Sequence, residues 1–187
     1  MKTAVVFIAD GSEEIETITP VDYLRRAKVD VTLVAVSGDR TVKCSRGVTV
    51  TADKTLSELD VKSLPDAVVL PGGMPGTKVL AGNEAVVEIV KKMNAEGRLV
   101  SAICAAPALV LPQTGVLDGK EWTCYPGMED NAGQCKSKYV SGKAFVRSGN
   151  LITGRGPGAA EEFAMEIVRA LMGDEVYAQV KADAQQR

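Results

Sequence analysis

Short apolar runs of strand length alternate along this chain with amphipathic stretches of helical length, the pattern of a parallel sheet whose strands are joined by helical crossovers. Thr3 to Ala9 predicts a buried first strand. The helix that follows runs to about Ala27, with Asp10 in the capping position, Glu13 three residues on, and Arg25 and Arg26 in the last turn, where the helix dipole favours cations. Val29 to Val36 predicts the second strand, Val42 to Val50 a short hairpin, and Asp66 to Leu70 a third parallel strand ending in Pro71-Gly72-Gly73. Helices are expected near Thr77 to Leu80 and over Glu84 to Glu96, before the chain returns to the sheet at Leu99. Glu121 to Cys124 reads as a further short strand, with Trp122 as core, and Glu129 to Lys138 as a polar segment. Strands are expected at Ala144 to Arg147 and Leu151 to Thr153, and the closing helix, about Ala159 to Met172, places Phe163, Ile167, Ala170 and Leu171 at helical spacing. No repeat, low-complexity tract or linker interrupts the pattern. The expectation is a single domain over residues 1–187, a flavodoxin-like (Rossmann-like) three-layer α/β sandwich with a mostly parallel sheet.

Composition narrows the function classes. A chain of 187 residues buries roughly 70% of its extended surface on folding and needs no staple. A formal net charge of −2 gives no reason to expect nucleic acid or an anionic membrane as a partner. The apolar run Ala4 to Ala9 is too short for a signal sequence or a membrane span. Cys44, Cys104, Cys124 and Cys135 show neither CxxC nor a metal-ligand spacing, so free thiols in a reducing cytoplasm are expected, with no metal or organic cofactor.

The candidate chemistry centres on Cys104. It lies in Leu99-Val100-Ser101-Ala102-Ile103-Cys104-Ala105-Ala106-Pro107, an apolar strand that runs abruptly into a helix of small residues. At such a turn the sulfur is exposed, small neighbours admit a substrate, and the amides opening the next helix favour a thiolate. The chain has no histidine, so a Cys-His protease cannot be assembled from it and proton traffic must use a carboxylate, tyrosine, lysine or water. In an open α/β sheet the ligand crevice lies beyond the carboxyl ends of the strands. That rule brings together Asp10 to Glu16, Gly72 and Gly73, Cys104, and Gly156-Pro157-Gly158. Gly72, Gly73 and Ala105 can then offer main-chain N–H groups to an oxyanion.

Glu13-Glu14-Ile15-Glu16, Cys44-Ser45-Arg46, Leu70-Pro71-Gly72-Gly73, Ala102-Ile103-Cys104-Ala105-Ala106-Pro107 and Arg155-Gly156-Pro157-Gly158 occur in the order and spacing of the ThiJ/PfpI superfamily. The chain resembles its parkinsonism-associated deglycase (DJ-one) branch over about residues 3 to 180. The resemblance implies a homodimer, an oxidation-sensitive Cys104, and a protonated glutamate partner at Glu16. It also implies glutathione-independent glyoxalase or deglycase activity on small 2-oxoaldehydes such as methylglyoxal and glyoxal, and a role as oxidative-stress sensor with chaperone-like behaviour. Relatives often carry a histidine near the nucleophile. Here that segment reads Cys124-Tyr125-Pro126, so Tyr125 takes its place at the site and a histidine relay is not expected.

Charge arithmetic defines what the pair must do. A free thiol, with a pKa of about 8.5, is mostly protonated near neutrality; lowering it by about three units requires about 4 kcal/mol. A helix terminus supplies only about 0.3 to 2 kcal/mol, so a strong donor to the sulfur is needed as well. An ionised Glu16 would oppose the thiolate, whereas a protonated Glu16 would donate to it, and the two would titrate as a coupled pair. The remaining polar candidates read as structural. Glu13 and Glu14 are helix-opening carboxylates, Asp22 is a helix-surface acid, and Arg25, Arg26 and Arg46 make ordinary ion pairs or solvated faces.

Overall fold

In the computed structural model, residues 1–60 and 63–186 are described. The strands are β1 (Thr3–Ile8), β2 (Asp30–Ala35), β3 (Thr41–Lys43), β4 (Thr49–Thr51), β5 (Lys54–Thr55), β6 (Ala67–Leu70), β7 (Leu99–Ile103), β8 (Phe145–Ser148) and β9 (Leu151–Gly154). The helices are α1 (Glu14–Arg26), α2 (Gly76–Gly82), α3 (Glu84–Ala95), α4 (Ala106–Leu109) and α5 (Ala160–Asp183). Seven strands form one sheet in the order β5-β2-β1-β6-β7-β9-β8, parallel except for β8, while β3 and β4 make a separate antiparallel hairpin.

The central strands are apolar on both faces because both are covered. Along β1, Ala4, Val6 and Ile8 pack with α1 and α5 through Leu24, Phe163 and Ile167, while Val5 and Phe7 pack with Val86, Val90 and Met93 of α3 on the opposite side. In register, Val6 stands beside Leu33 of β2 and Val69 of β6. From β1 the chain winds first toward β2 and later, from β6, in the other direction, so the topological switch lies between β1 and β6.

At that switch the loops interlock. Glu13 N–H donates to the Gly72 carbonyl at 3.0 Å, and a Cβ placed on Gly73 would stand 2.3 Å from Glu13 N and 2.5 Å from the Gly11 carbonyl oxygen. The β3–β4 hairpin is tied on from the other side by Gly11 N–H to the Lys43 carbonyl and Ser45 N–H to the Ser12 carbonyl, each at 2.8 Å.

Three expectations are corrected, and one strand is added. Glu13, not Asp10, caps α1, its carboxylate accepting from Glu16 N–H at 2.8 Å; Asp10 instead accepts from Lys43 N–H at 2.8 Å. Trp122 is fully buried as expected but forms only an isolated bridge with Tyr139, so Glu121 to Cys124 is not a strand of the sheet. The closing helix continues to Asp183 through a break at Gly173, where φ is +87°. The edge strand β5 was not anticipated, because two residues carry no periodicity.

The interlock makes a specific stability prediction. Gly73→Ala combines a left-handed backbone, φ +86°, with a collision against backbone atoms that cannot move aside, and should cost at least about 3 kcal/mol. Gly47→Ala has a similar φ of +91° but nothing within 4 Å, and should cost only about 1 kcal/mol. Urea unfolding midpoints of the two variants measure the difference; equal losses contradict the interlock.

Candidate active site

Cys104 ends β7 with φ +63°, a left-handed conformation that costs a non-glycine residue roughly 1 to 2 kcal/mol. Its backbone is held on both sides. Cys104 N–H donates to the Gly154 carbonyl of β9 at 2.9 Å, and its own carbonyl accepts from Tyr125 N–H at 2.8 Å. This turn presents the side chain at the carboxyl end of the sheet, over Gly72. A Cβ on Gly72 would stand 2.5 Å from Cys104 Cβ, 2.9 Å from its Sγ and 2.6 Å from Glu16 Oε2. Only a residue with no side chain lets the thiol and the carboxyl meet there.

Glu16 reaches this point from the first turn of α1 and is fully buried. Its Oε2 accepts from Gly72 N–H at 2.9 Å, and its Oε1 has no nitrogen or oxygen partner. Burial, with the nearby Glu13 charge, raises the Glu16 pKa to about 7, against the opposing pull of the Cys104 and Gly72 hydrogen bonds. Burial and the Glu16 charge in turn push the Cys104 thiol up to about 12, against the amides of Gly73 and Ala105, which donate to its sulfur.

The fold therefore does not provide an independently acidic thiol. Taking the pair from water costs more than two amides return, and α4 is a single turn whose contribution at the sulfur is the Ala105 amide. When Glu16 keeps its proton, the repulsion between the two groups becomes an O–H donor to sulfur. The pair holds two protons in acid and one above about pH 7; that remaining proton rests mainly on sulfur, and the thiolate-plus-acid arrangement is reached from there by transfer of the proton across the pair.

A cavity of about 420 Å³ opens over Cys104 and is bordered by Glu13, Ser45, Arg46, Gly73, Met74, Ala105, Tyr125, Met128 and Pro157. Tyr125 lies against Gly156, where an added Cβ would be 3.3 Å from its ring. Gly156 and Pro157 also border an adjoining cavity of about 460 Å³ with Tyr125, Pro126, Arg155 and Gly158. Cys104, Glu16, Gly72, Gly73, Ala105, Tyr125, Gly156 and Pro157 are thus neighbours, as the strand-end rule predicts. Gly72 needs correction as an oxyanion donor, because its amide is already committed to Glu16.

Sequence reasoning missed Glu14. It is buried, and its carboxylate accepts from Ser45 Oγ at 3.1 Å, Arg46 N–H at 2.6 Å and Val48 N–H at 3.3 Å, pinning the hairpin turn over the site and holding its own pKa low despite burial. Met74 and Met128 were missed too, since nothing in their sequence context marks a cavity wall. Of the arginines, Arg25 pairs with Asp53 at 2.7 Å and Arg26 with Asp22 at 2.8 Å, leaving Arg46 at the cavity. Asp22 is engaged on its own helix by that Arg26 pair. Cys44 and Cys124 are buried, with thiols raised by burial to about 11 and about 12. Among the described residues, no group of three or more His, Cys, Asp or Glu side chains is placed to hold a metal ion.

The raised Glu16 pKa has a definite sign in stability. Below pH 4.5 the group is protonated in both folded and unfolded chains; above it the unfolded chain loses a proton that the folded one keeps until about 7. Folding stability from this group therefore falls by about 3 kcal/mol as pH rises through that window. Glu16→Gln should gain on the wild type by that amount between pH 4.5 and 7.5, read by urea unfolding at the two pH values. Parallel stability curves for the two proteins contradict a buried, near-neutral acid.

Comparison with known proteins agrees with this geometry. The model of the DJ-1/PfpI family matches residues 2–170. The chain is 42% identical over 182 residues to the Parkinson disease protein 7 homolog of Danio rerio, covering 97% of this chain and 95% of that one. It is 34% identical to the glutathione-independent glyoxalase DJR-1.2 of Caenorhabditis elegans, over 93% of this chain and 91% of the relative. The structure of oxidized Toxoplasma gondii DJ-1 superposes with a TM-score of 0.92 at 33% identity, covering 99% and 98% of the two chains. With its flavodoxin-like sheet and this agreement along nearly its whole length, the chain belongs to the DJ-1/PfpI family.

Proposed function

We propose that the protein is a cysteine-dependent, glutathione-independent glyoxalase and deglycase acting on small 2-oxoaldehydes, methylglyoxal and glyoxal among them. The family includes a protein named for the glyoxalase activity, and one observation here carries the reading: Cys104 and the buried Glu16 meet over Gly72, with the Gly73 and Ala105 amides at the sulfur. In the proposed course the Cys104 thiolate adds to the aldehyde carbon. A C–S bond forms, the carbonyl π pair moves to oxygen, and protonated Glu16 gives that oxygen its proton while the Gly73 and Ala105 amides stabilise the developing charge. Glu16, now a carboxylate, takes the proton from the same carbon and returns it to the neighbouring one, as the hydroxyl proton passes between the two oxygens. The aldehyde carbon is thereby oxidised and its neighbour reduced, leaving a thioester. Water cleaves it to a 2-hydroxy acid and the free thiol. The course calls on no metal or organic cofactor. Deglycase action would use the same thiolate on aldehyde adducts borne by other molecules, and a protease is disfavoured because the chain has no histidine.

Two further expectations belong to this reading. Ile15 and Ile18 of α1 and Val48 of the hairpin are apolar and exposed, which supports a homodimer through that face. Free thiols fit a reducing cytoplasm, and among the described residues no helix is long and apolar enough to cross a membrane. A second reading, a redox sensor and chaperone switched by oxidation of Cys104 to sulfinate, is favoured by the same donors. Glu16, Gly73 and Ala105 would hydrogen-bond sulfinate oxygens as well as an alkoxide.

Metal-free protein should convert methylglyoxal to lactate without glutathione, with a rate that rises through about pH 7 as the pair becomes singly protonated. Cys104→Ser should lose at least about 1,000-fold in kcat/KM, since an alcohol is a poor substitute nucleophile. Lactate measured enzymatically decides between the readings: no turnover, with clean peroxide conversion of Cys104 to sulfinate by intact mass, leaves the sensor. For the dimer, light scattering at micromolar concentration should give twice the chain mass, and a monomer refutes it.

A further inference from the structure

The strand order divides the walls of the Cys104 cavity by chemistry. Ser45 and Arg46 come from the hairpin after β2 and Glu13 from the loop after β1, whereas Tyr125 and Met128 follow β7 and Pro157 follows β9. Cys104, after β7, stands between a side that carries Glu13, Ser45 and Arg46, with Met74 of the loop after β6 beside them, and a side formed by Tyr125, Met128 and Pro157 without a charge. A carbonyl carbon bound to sulfur must direct its oxygen to the amides of Gly73 and Ala105 and its hydrogen to Glu16. The group on the far side of the 2-oxoaldehyde then has the apolar wall to itself.

That wall is larger than methylglyoxal requires. A single methyl fills a small part of a cavity of about 420 Å³, and beyond Tyr125 and Pro157 the surface continues into the adjoining 460 Å³ cavity, lined further by Pro126, Gly156, Gly158 and, as its one charged residue, Arg155. Tyr125 stands at the junction of the two. Its N–H is anchored on the Cys104 carbonyl at 2.8 Å, its ring rests against Gly156, and half of the residue is still exposed. An aromatic residue whose backbone is held by that of the nucleophile itself, and whose ring borders the same cavity, is a stacking platform beside the reacting sulfur.

We infer that the crevice selects 2-oxoaldehydes with an apolar, above all aromatic, substituent, and that Tyr125 is the specificity-determining residue. The inference rests on the reading of Cys104 as the nucleophile that adds to the aldehyde carbon. It adds to that reading a substrate class and a residue that binds the part of the substrate not undergoing reaction.

Phenylglyoxal and methylglyoxal are the probes, with initial rates taken before arginine modification and product formation followed as mandelate and lactate. In the wild type, kcat/KM for phenylglyoxal should exceed that for methylglyoxal by about tenfold or more. Tyr125→Ala should reduce that ratio about tenfold, chiefly through KM for phenylglyoxal, and Tyr125→Phe should restore it, because the ring and not the hydroxyl makes the contact. A binding readout independent of turnover accompanies it: mandelate should protect Cys104 from iodoacetamide at about one-tenth the concentration of lactate in the wild type, and lose that advantage in Tyr125→Ala. Wild type that turns over methylglyoxal with no preference, or a ratio unchanged in Tyr125→Ala or lost in Tyr125→Phe, overturns the inference and leaves the glyoxalase reading standing. Wild type that turns over neither aldehyde overturns the glyoxalase reading itself.

Discussion

A carboxyl group removed from water, with a single backbone amide on one oxygen and a thiol beside it, is the constraint on which the rest of this structure depends. Ionised and unpaired in such a place, Glu16 would carry a large desolvation penalty, so near neutrality it keeps its proton or shares the one remaining on the pair. Everything around it serves that arrangement. Glu13 caps α1 so that the first turn delivers Glu16 inward, and Gly72 supplies both the amide that holds Oε2 and the absence of a side chain that would separate it from Cys104. The strained turn at Cys104 brings the thiol to the same spot.

Three acidic residues in one helical turn carry three separate tasks. Glu13 caps the start of the helix, Glu14 holds the hairpin by accepting from Ser45, Arg46 and Val48, and Glu16 faces Cys104. Because all three leave the same turn, the position of the acid, the entry of the first helix and the cavity wall are geometrically coupled. A shift in any one moves the others. The interlock of Gly73 and Gly76 with the loop after β1 serves the same rigidity, since two groups must be held to within a fraction of an ångström to share a proton.

The lack of histidine gives the site its chemical character. With no imidazole, the titratable group beside the sulfur is Glu16, and the aromatic residue at the cavity is Tyr125. The other thiols are separated from this chemistry by the fold. Cys44 and Cys124 are enclosed and their thiols raised by burial, and Cys135 packs against the core. Burial also raises the Cys104 thiol, yet there it is accompanied by a proton donor and two amides. That difference distinguishes the surroundings of Cys104 from those of the other three cysteines.

Much of this was legible in the residues alone. Apolar runs such as Thr3 to Ala9 and Leu99 to Ile103, alternating with amphipathic helical stretches, fit central parallel strands buried on two faces, so the parallel sheet and its strand-end crevice follow from local pattern, while the order of the strands does not. Cys104 between a strand and small residues was legible for the same reason, whereas its association with Glu16, from a distant segment, came only through the family resemblance. What the sequence could not show depends on atoms brought together from distant segments. The hairpin anchor at Glu14 looks like any helix-opening acid until the β3–β4 turn is placed against it. Gly72 looks like an oxyanion donor until Glu16 occupies its amide, and Cys104 looks intrinsically acidic until desolvation is weighed against its donors. Burial, hydrogen-bond competition and charge proximity are properties of the folded surroundings, and only the tertiary structure decides them.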